Sequence, residues 1–194
     1  FHRQFFAEGA ANAFFGTMFS LVNPSATHDA MVTLGLMRDT GEMTTTPIEL
    51  RAMHRHDAVA REMLGTWAGS FSALIESDQP IASHRLMWWD DRGYGTTLEA
   101  AATAPSTRWL FAEGATHGFN LFYLLQNQDM TQAANVTIRY LLPSGAPVVK
   151  NYTVEPHTRR TIYVNEISEL AGTDVSAEIV STLPIVAERA MYRD

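Results

Sequence analysis

Three histidines have a spacing that could bind a metal ion. His54 and His56 are separated by one residue, and His84 lies further along the chain. Alternate residues of a strand share a face, so His54 and His56 could ligate zinc if a third group converged on them. The second copy of an internal repeat, described below, has other residue types at these positions. We therefore expect solvated or partner-contacting histidines, keep all three as weak metal candidates, and expect no cofactor.

An aromatic cluster beside two acidic residues is the most ligand-like feature of the sequence. Trp88, Trp89 and Tyr94 flank Asp90 and Asp91. Such rings stack on sugars, but at a junction between domains they more often pack against the neighbouring domain. Interdomain packing is the preferred interpretation, and a carbohydrate or small-ligand site is the alternative.

The sequence lacks the short motifs that accompany common catalytic sites. It contains no Gly-x-Ser-x-Gly, no His-Glu-x-x-His and no glycine-rich phosphate loop. The adjacent Asp90 and Asp91 would point to opposite sides of an extended chain and would not form an acid/base pair. We expect no catalytic residues and no enzymatic activity.

Composition restricts the class of protein further. The 194 residues are 46% hydrophobic and 18% charged, as in an ordinary globular protein. The net charge of -7, without a basic run, makes nucleic acid an unsuitable partner. No apolar stretch reaches the roughly 18 residues that span a bilayer. There is no cysteine, which excludes disulfides and thiolate metal sites.

The chain contains an internal repeat. A shift of 104 positions aligns Asn23 with Asn127 and Arg85 with Arg189. Near the start, the shift is one residue longer and aligns the two copies of Phe-Ala-Glu-Gly-Ala, 6–10 and 111–115. The second copy ends at Asp194, where its own version of the following segment should begin, so we expect a piece of a longer repeat protein.

Alternation of side chains predicts strands in both copies. Val136, Ile138 and Tyr140 alternate with polar residues, as in a half-buried strand. Turn residues such as Gly41 and Gly145 separate the strands. The prediction is an all-β chain of two tandem antiparallel β-sandwich domains, 1–96 and 108–194, joined by a linker at 97–107.

Two ion pairs are predicted to brace these domains. Arg85 and Arg189 lie on strand faces that also carry apolar residues, and a buried guanidinium needs a partner. Glu8 and Glu113, from the repeated Ala-Glu-Gly, are the natural partners. We predict the framework pairs Glu8–Arg85 and Glu113–Arg189.

Several segments of the second copy are similar to known families. They are 109–114, 125–127, 134–140, 154–161 and 181–189. This order resembles tandem domains of large bacterial cell-surface and secreted proteins, and it is similar to the sensory-rhodopsin transducer family. The resemblance implies an antiparallel β-sandwich without known catalysis. The first family implies a structural or adhesive repeat, and the second an oligomer that binds a partner protein.

The functional expectation follows from the repeat and the resemblance. We expect a non-enzymatic extracellular or cell-surface repeat protein that acts in structure or adhesion, contacts neighbouring copies or other surface proteins, and assembles into a filament or surface layer. The alternatives are a carbohydrate-binding or small-ligand-binding module and a transducer-like oligomeric adaptor.

Overall fold

The chain is an all-β antiparallel sandwich protein, which confirms the predicted fold class. The computed structural model describes residues 1–90 and 95–193. The chain divides into two compact units, Phe1–Ala104 and Pro105–Asp194, called unit 1 and unit 2. Within the described residues, no helix is long and apolar enough to cross a membrane.

Unit 1 contains nine strands and one short helix among its described residues. They are β1 His2–Phe6, β2 Ala10–Ala11, β3 Phe15–Val22, β4 Ala30–Arg38, β5 Met43–Leu50, β6 Arg55–Val59, α1 Ala60–Leu64, β7 Gly69–Ser77, β8 Ala82–Trp89 and β9 Gly95–Ala100. One sheet has the order β1-β7-β4-β5, with β2 also on β7, and the other has the order β6-β3-β8-β9. All of these pairings are antiparallel.

The core of unit 1 comes from the alternation of its strands. In β3, Thr17, Phe19 and Leu21 are buried, whereas the residues between them reach the opposite face. In β8, Arg85 and Met87 are buried on the core side, so His84, Leu86 and Trp88 lie on the outer face. This outer face carries the candidate site.

The described part of unit 2 contains six strands, with two short 3-10 helices at Val164–Glu166 and Ser168–Leu170. The strands are β10 Ser106–Phe111, β11 Phe119–Asn127, β12 Ala134–Leu141, β13 Val148–Val154, β14 Thr158–Tyr163 and β15 Ser176–Arg193. The order is β13-β12-β15-β11-β14, with β10 also on β15. The long strand β15 pairs with β10 and β12 through its first half and with β11 through its second half. The single strand β15 therefore makes the pairings that are divided between β7 and β8 in unit 1.

The two units repeat the same hydrogen bonds at equivalent positions. Asn23 Nδ2 donates to the carbonyl of Leu50 at 3.0 Å, and Asn127 Nδ2 donates to that of Val154 at 3.1 Å. Gln4 Nε2 donates to Ile81 O at 2.6 Å. In unit 2, the indole nitrogen of Trp109 makes the equivalent bond to Ile185 O at 2.9 Å. Gln4 and Trp109 thus donate to equivalent backbone carbonyls although their side chains differ. Sequence comparison alone counts this position as a mismatch.

The predicted linker at 97–107 differs from the structure. Most of it is strand, since β9 continues to Ala100 and β10 begins at Ser106. Between them, Ala102 exchanges two backbone hydrogen bonds with Phe5, at 2.9 and 3.0 Å. Thr97 and Leu98 pair with β8, and residues of these types fit a pleated surface. The second copy has no residues aligned with 97–107, so the internal repeat gave no information about this segment.

Candidate functional site

The predicted pair in unit 1 is a buried brace beneath the outer face. Arg85 is 1% exposed, and its guanidinium donates to Glu8 Oε2 at 3.1 Å and to the Glu8 carbonyl at 2.8 Å. The guanidinium also lies 5.5 Å from the centre of the Phe6 ring. The backbone acceptor and the carboxylate together offset the cost of burying the charge. This arrangement holds β8 against the segment that follows β1.

The equivalent pair in unit 2 is more open. Arg189 Nη1 donates to the Glu113 carbonyl at 2.5 Å and pairs with the Glu113 carboxylate. The side chains of Arg189 and Glu113 are 29% and 66% exposed. Tyr123 lies nearby, and burial raises the pKa of its hydroxyl above the ordinary value. The sequence therefore pairs the correct residues in both units but does not predict their different exposure.

The three histidines do not converge. His56 pairs with Leu21 and His84 with Ser20, which are neighbouring positions of β3 whose side chains point to opposite faces. His54 Nδ1 is 2.7 Å from the carbonyl of Ala52. Across residues 1–90 and 95–193, no three histidine or acidic side chains are grouped as a metal site.

The outer face near His84 holds an ion pair instead. Asp57 Oδ1 accepts from Arg55 Nε at 2.9 Å and from the Ser20 hydroxyl at 2.7 Å. The Arg55 hydrogen bond, followed by that of Ser20, lowers the pKa of the Asp57 carboxyl below its ordinary value. This group remains an exposed surface anion at neutral pH.

The two tryptophans of the aromatic cluster lie on opposite faces of β8. Trp88 lies over Gly16, where a Cβ would come within 2.2 Å of the indole, and Trp89 lies over Gly95, where a Cβ would come within 2.1 Å. Each tryptophan is directly opposite its glycine across the sheet. Trp88 and Trp89 therefore cannot form one binding surface. Tyr94 and Asp91, predicted as part of the cluster, lie outside the described residues.

Trp88 forms the wall of a groove on unit 1. The groove has a volume of about 720 Å³. It is lined by Ala11, Asn12, Ala13, Phe14, Phe15, Gly16, Thr17, Val59, Arg61, Trp88 and Asp90. The lining combines aromatic rings with charged and polar side chains, and the volume is within the range of small-molecule sites.

The loop between β2 and β3 builds the other wall. Asn12 Oδ1 accepts from the backbone amides of Phe14 and Phe15 at 2.8 and 2.7 Å. These bonds form an Asx-type turn that holds the two phenyl rings edge to face, 4.9 Å apart. The Asp90 amide donates to the Phe14 carbonyl at 3.0 Å and connects this loop to the end of β8. Phe14 remains 54% exposed and available to a ligand.

Two charged side chains give the groove polar contacts. Arg61, on α1, is exposed and donates to the carbonyl of Trp67 at 3.3 Å, which orients the guanidinium. Asp90 follows β8 with a positive φ of 70°. The aromatic wall of the groove can contact an apolar surface of a ligand. The guanidinium of Arg61 can donate hydrogen bonds to the same ligand, and the carboxylate of Asp90 can accept them.

Unit 2 does not repeat this arrangement. Asn120 replaces Gly16 and pairs with the Tyr163 hydroxyl. Asn165 replaces Arg61, and its Nδ2 donates to the Phe119 carbonyl at 2.8 Å. The residues that replace Gly16 and Arg61 in unit 2 thus form internal hydrogen bonds.

The predicted aromatic cluster includes Trp88 and Asp90 but none of the other residues that line the groove. Asn12, Phe14, Gly16 and Arg61 come from three separate segments. One signal was available, since Gly16 lies inside β3 and its aligned residue in the second copy is Asn120. A glycine inside a strand often marks the close approach of another group.

Several solved structures are similar to part of the chain, among them one from Thermotoga maritima and one from Anabaena. No protein-family model and no curated protein matches the chain. The crystal structure of Thermotoga maritima 1070 is similar with a TM-score of 0.47 and 12% identity, over 52% of this chain and 92% of that chain. The Anabaena sensory rhodopsin transducer is similar with a TM-score of 0.41 and 23% identity, over 44% of this chain and 96% of that chain. The second structure bears the name of the family that the sequence resembles.

Proposed function

We propose that the protein is a non-enzymatic adhesive module of an extracellular or cell-surface repeat protein, and that it binds carbohydrate in the groove beside Trp88. The observation that carries the proposal is the groove of about 720 Å³, in which Trp88 and Phe14 face polar side chains. Surface location and the repeat role rest on the resemblance to bacterial surface domains.

Carbohydrate is the ligand class that fits this mixture of groups. A sugar ring has an apolar face of C–H groups and an edge of hydroxyls that both donate and accept hydrogen bonds. The indole of Trp88 can cover the apolar face, because aromatic rings supply large rigid contact areas. Arg61 can donate to hydroxyl oxygens, and the Asp90 carboxylate can accept from hydroxyl groups.

The supporting framework favours binding without rearrangement. Gly16 lets Trp88 lie flat against β3, and Asn12 fixes the loop that carries Phe14. Beneath them, Arg85 and Glu8 brace β8 from the core side. Groups already held in their binding positions lose less conformational entropy when a ligand binds.

A glycan array followed by calorimetry tests the proposal. The array should contain neutral and acidic oligosaccharides, and the wild-type chain should bind at least one group of related glycans. Phe14→Ala should weaken that binding about fivefold, because an aromatic contact contributes roughly 1 kcal/mol beyond its buried area. Phe14 is largely exposed, so this change leaves the fold intact.

Two further variants make the test specific. Trp88→Ala should abolish detectable binding. Tyr192→Ala changes the equivalent position of unit 2, where the groove is not repeated, and should bind as the wild type does. An array without a bound glycan, or equal losses in the Trp88 and Tyr192 variants, would overturn the carbohydrate assignment.

A further inference from the structure

Strand β9 forms an open edge of unit 1. It pairs with β8 on one side and ends the sheet order β6-β3-β8-β9. Leu98, near its centre, is 62% exposed. Thr96, Glu99 and Ala100 are also exposed. Such an edge can pair with another strand.

Other edge strands of the described structure carry residues that discourage pairing. Charged side chains and proline on an edge strand oppose addition of another strand. The residues concerned are Arg3 in β1, Pro47 in β5, Arg55 in β6, Arg108 in β10, Lys150 in β13 and Arg160 in β14. By contrast, β9 has the sequence Gly-Thr-Thr-Leu-Glu-Ala, which contains neither proline nor a positively charged residue.

We propose that two copies of the chain associate through β9, pairing antiparallel about a two-fold axis. Two four-stranded sheets would then join into one sheet of eight strands. A second copy is the occupant that fits, because the edge is complementary to itself in one register.

The side chains select that register. Met18, Leu86 and Leu98 form a row across the outer face through direct cross-strand pairs. Placing Leu98 opposite Leu98 of the second copy continues this apolar row into the second sheet. The same register places Glu99 opposite Thr97 of the second copy, which avoids like charges directly opposite each other.

This association would make the protein bivalent. An isologous pairing closes after two copies, in contrast to the open filament expected from the sequence. The contact runs along only six residues, so the dimer should be weak and concentration dependent. Two linked grooves would strengthen attachment to a multivalent glycan surface without any new contact to sugar.

Single-cysteine cross-linking tests the register directly, because the wild-type chain has no cysteine. Opposed residues of an antiparallel pair have Cα atoms about 4.5–5.5 Å apart, within the range of a disulfide. Leu98→Cys should therefore form a disulfide-linked dimer under mild oxidation. Thr96→Cys lies on the same face, but its counterpart would be about 13 Å away, and it should remain monomeric.

Sedimentation velocity over about two orders of magnitude in concentration tests the association itself. Wild type should shift from monomer to dimer, and Leu98→Lys should remain monomeric. Val149→Lys, a matched change at the half-exposed edge strand β13, should dimerise as the wild type does. Circular dichroism should show that each variant is folded.

Each outcome bears on the proposal. A wild type that is monomeric throughout, equal dimerisation of Leu98→Lys, or equal cross-linking of the two cysteine variants would overturn it. Phe14→Ala should dimerise normally, so failure of glycan binding and failure of dimerisation are separately visible.

Discussion

The pair Arg85–Glu8 should contribute far more to stability than its repeat equivalent, Arg189–Glu113. Arg85→Met preserves much of the side-chain length but leaves the buried Glu8 carboxylate without its cation. Removing one partner of a buried ion pair typically costs about 3–5 kcal/mol. Arg189→Met acts on a pair with a 66% exposed carboxylate, where the cost should be about 1 kcal/mol or less.

Urea denaturation followed by tryptophan fluorescence measures this difference. Trp67, Trp88 and Trp89 report on unit 1, and Trp109 reports on unit 2. Combining Arg85→Met with Glu8→Gln should recover part of the lost stability, because no unpaired charge then remains in the core. Equal costs for the two arginine substitutions would refute the argument from burial.

Three further predictions concern local features of the fold. Glu178 pairs with Arg108 and Arg139, and its hydrogen bonds to Arg139 and then Arg108 lower its pKa from the ordinary 4.5. The stabilisation from Glu178 is thus present above about pH 4.5 and is lost as pH falls through the lower folded-state pKa. Glu178→Gln should therefore reduce the urea midpoint at about pH 7 and have little effect on it near pH 2. Gly16→Ala should displace the Trp88 indole, shift its fluorescence and weaken glycan binding, whereas an unchanged spectrum would contradict the close contact. Asn23→Ala and Asn127→Ala should each lower the free energy of unfolding by about 1–3 kcal/mol in urea denaturation, because each leaves buried carbonyls without a donor. A large difference between the two losses would show that this hydrogen bond does not stabilise the two units equally.

The strands could be predicted because their signals are local, and the internal repeat is a property of the sequence itself. Alternation from Val136 to Tyr140 places strand β12, and aligned residues such as Asn23 and Asn127 relate the copies. Charge balance was sufficient to pair Arg85 with Glu8, since a guanidinium on an apolar face needs a nearby carboxylate.

Residues 97–107, predicted as a linker, contain parts of β9 and β10 for an equally physical reason. Small residues at 100–104 are typical of a linker, but backbone hydrogen bonds to Phe5 hold Ala102 in place. Pairing with a distant strand can override the conformational preference of a short segment.

The sequence by itself determined the period of the strands, the two copies and the residues that must neutralise one another. Tertiary structure alone decided that Trp88 and Trp89 face opposite ways over different glycines, and that Phe14, Arg61 and Trp88 share one groove. It also decided that the ion pair Arg85–Glu8 is buried in the core, whereas the equivalent pair Arg189–Glu113 is partly exposed to solvent. Periodicity specifies which side chains share a face, but what covers that face depends on segments far away in the chain.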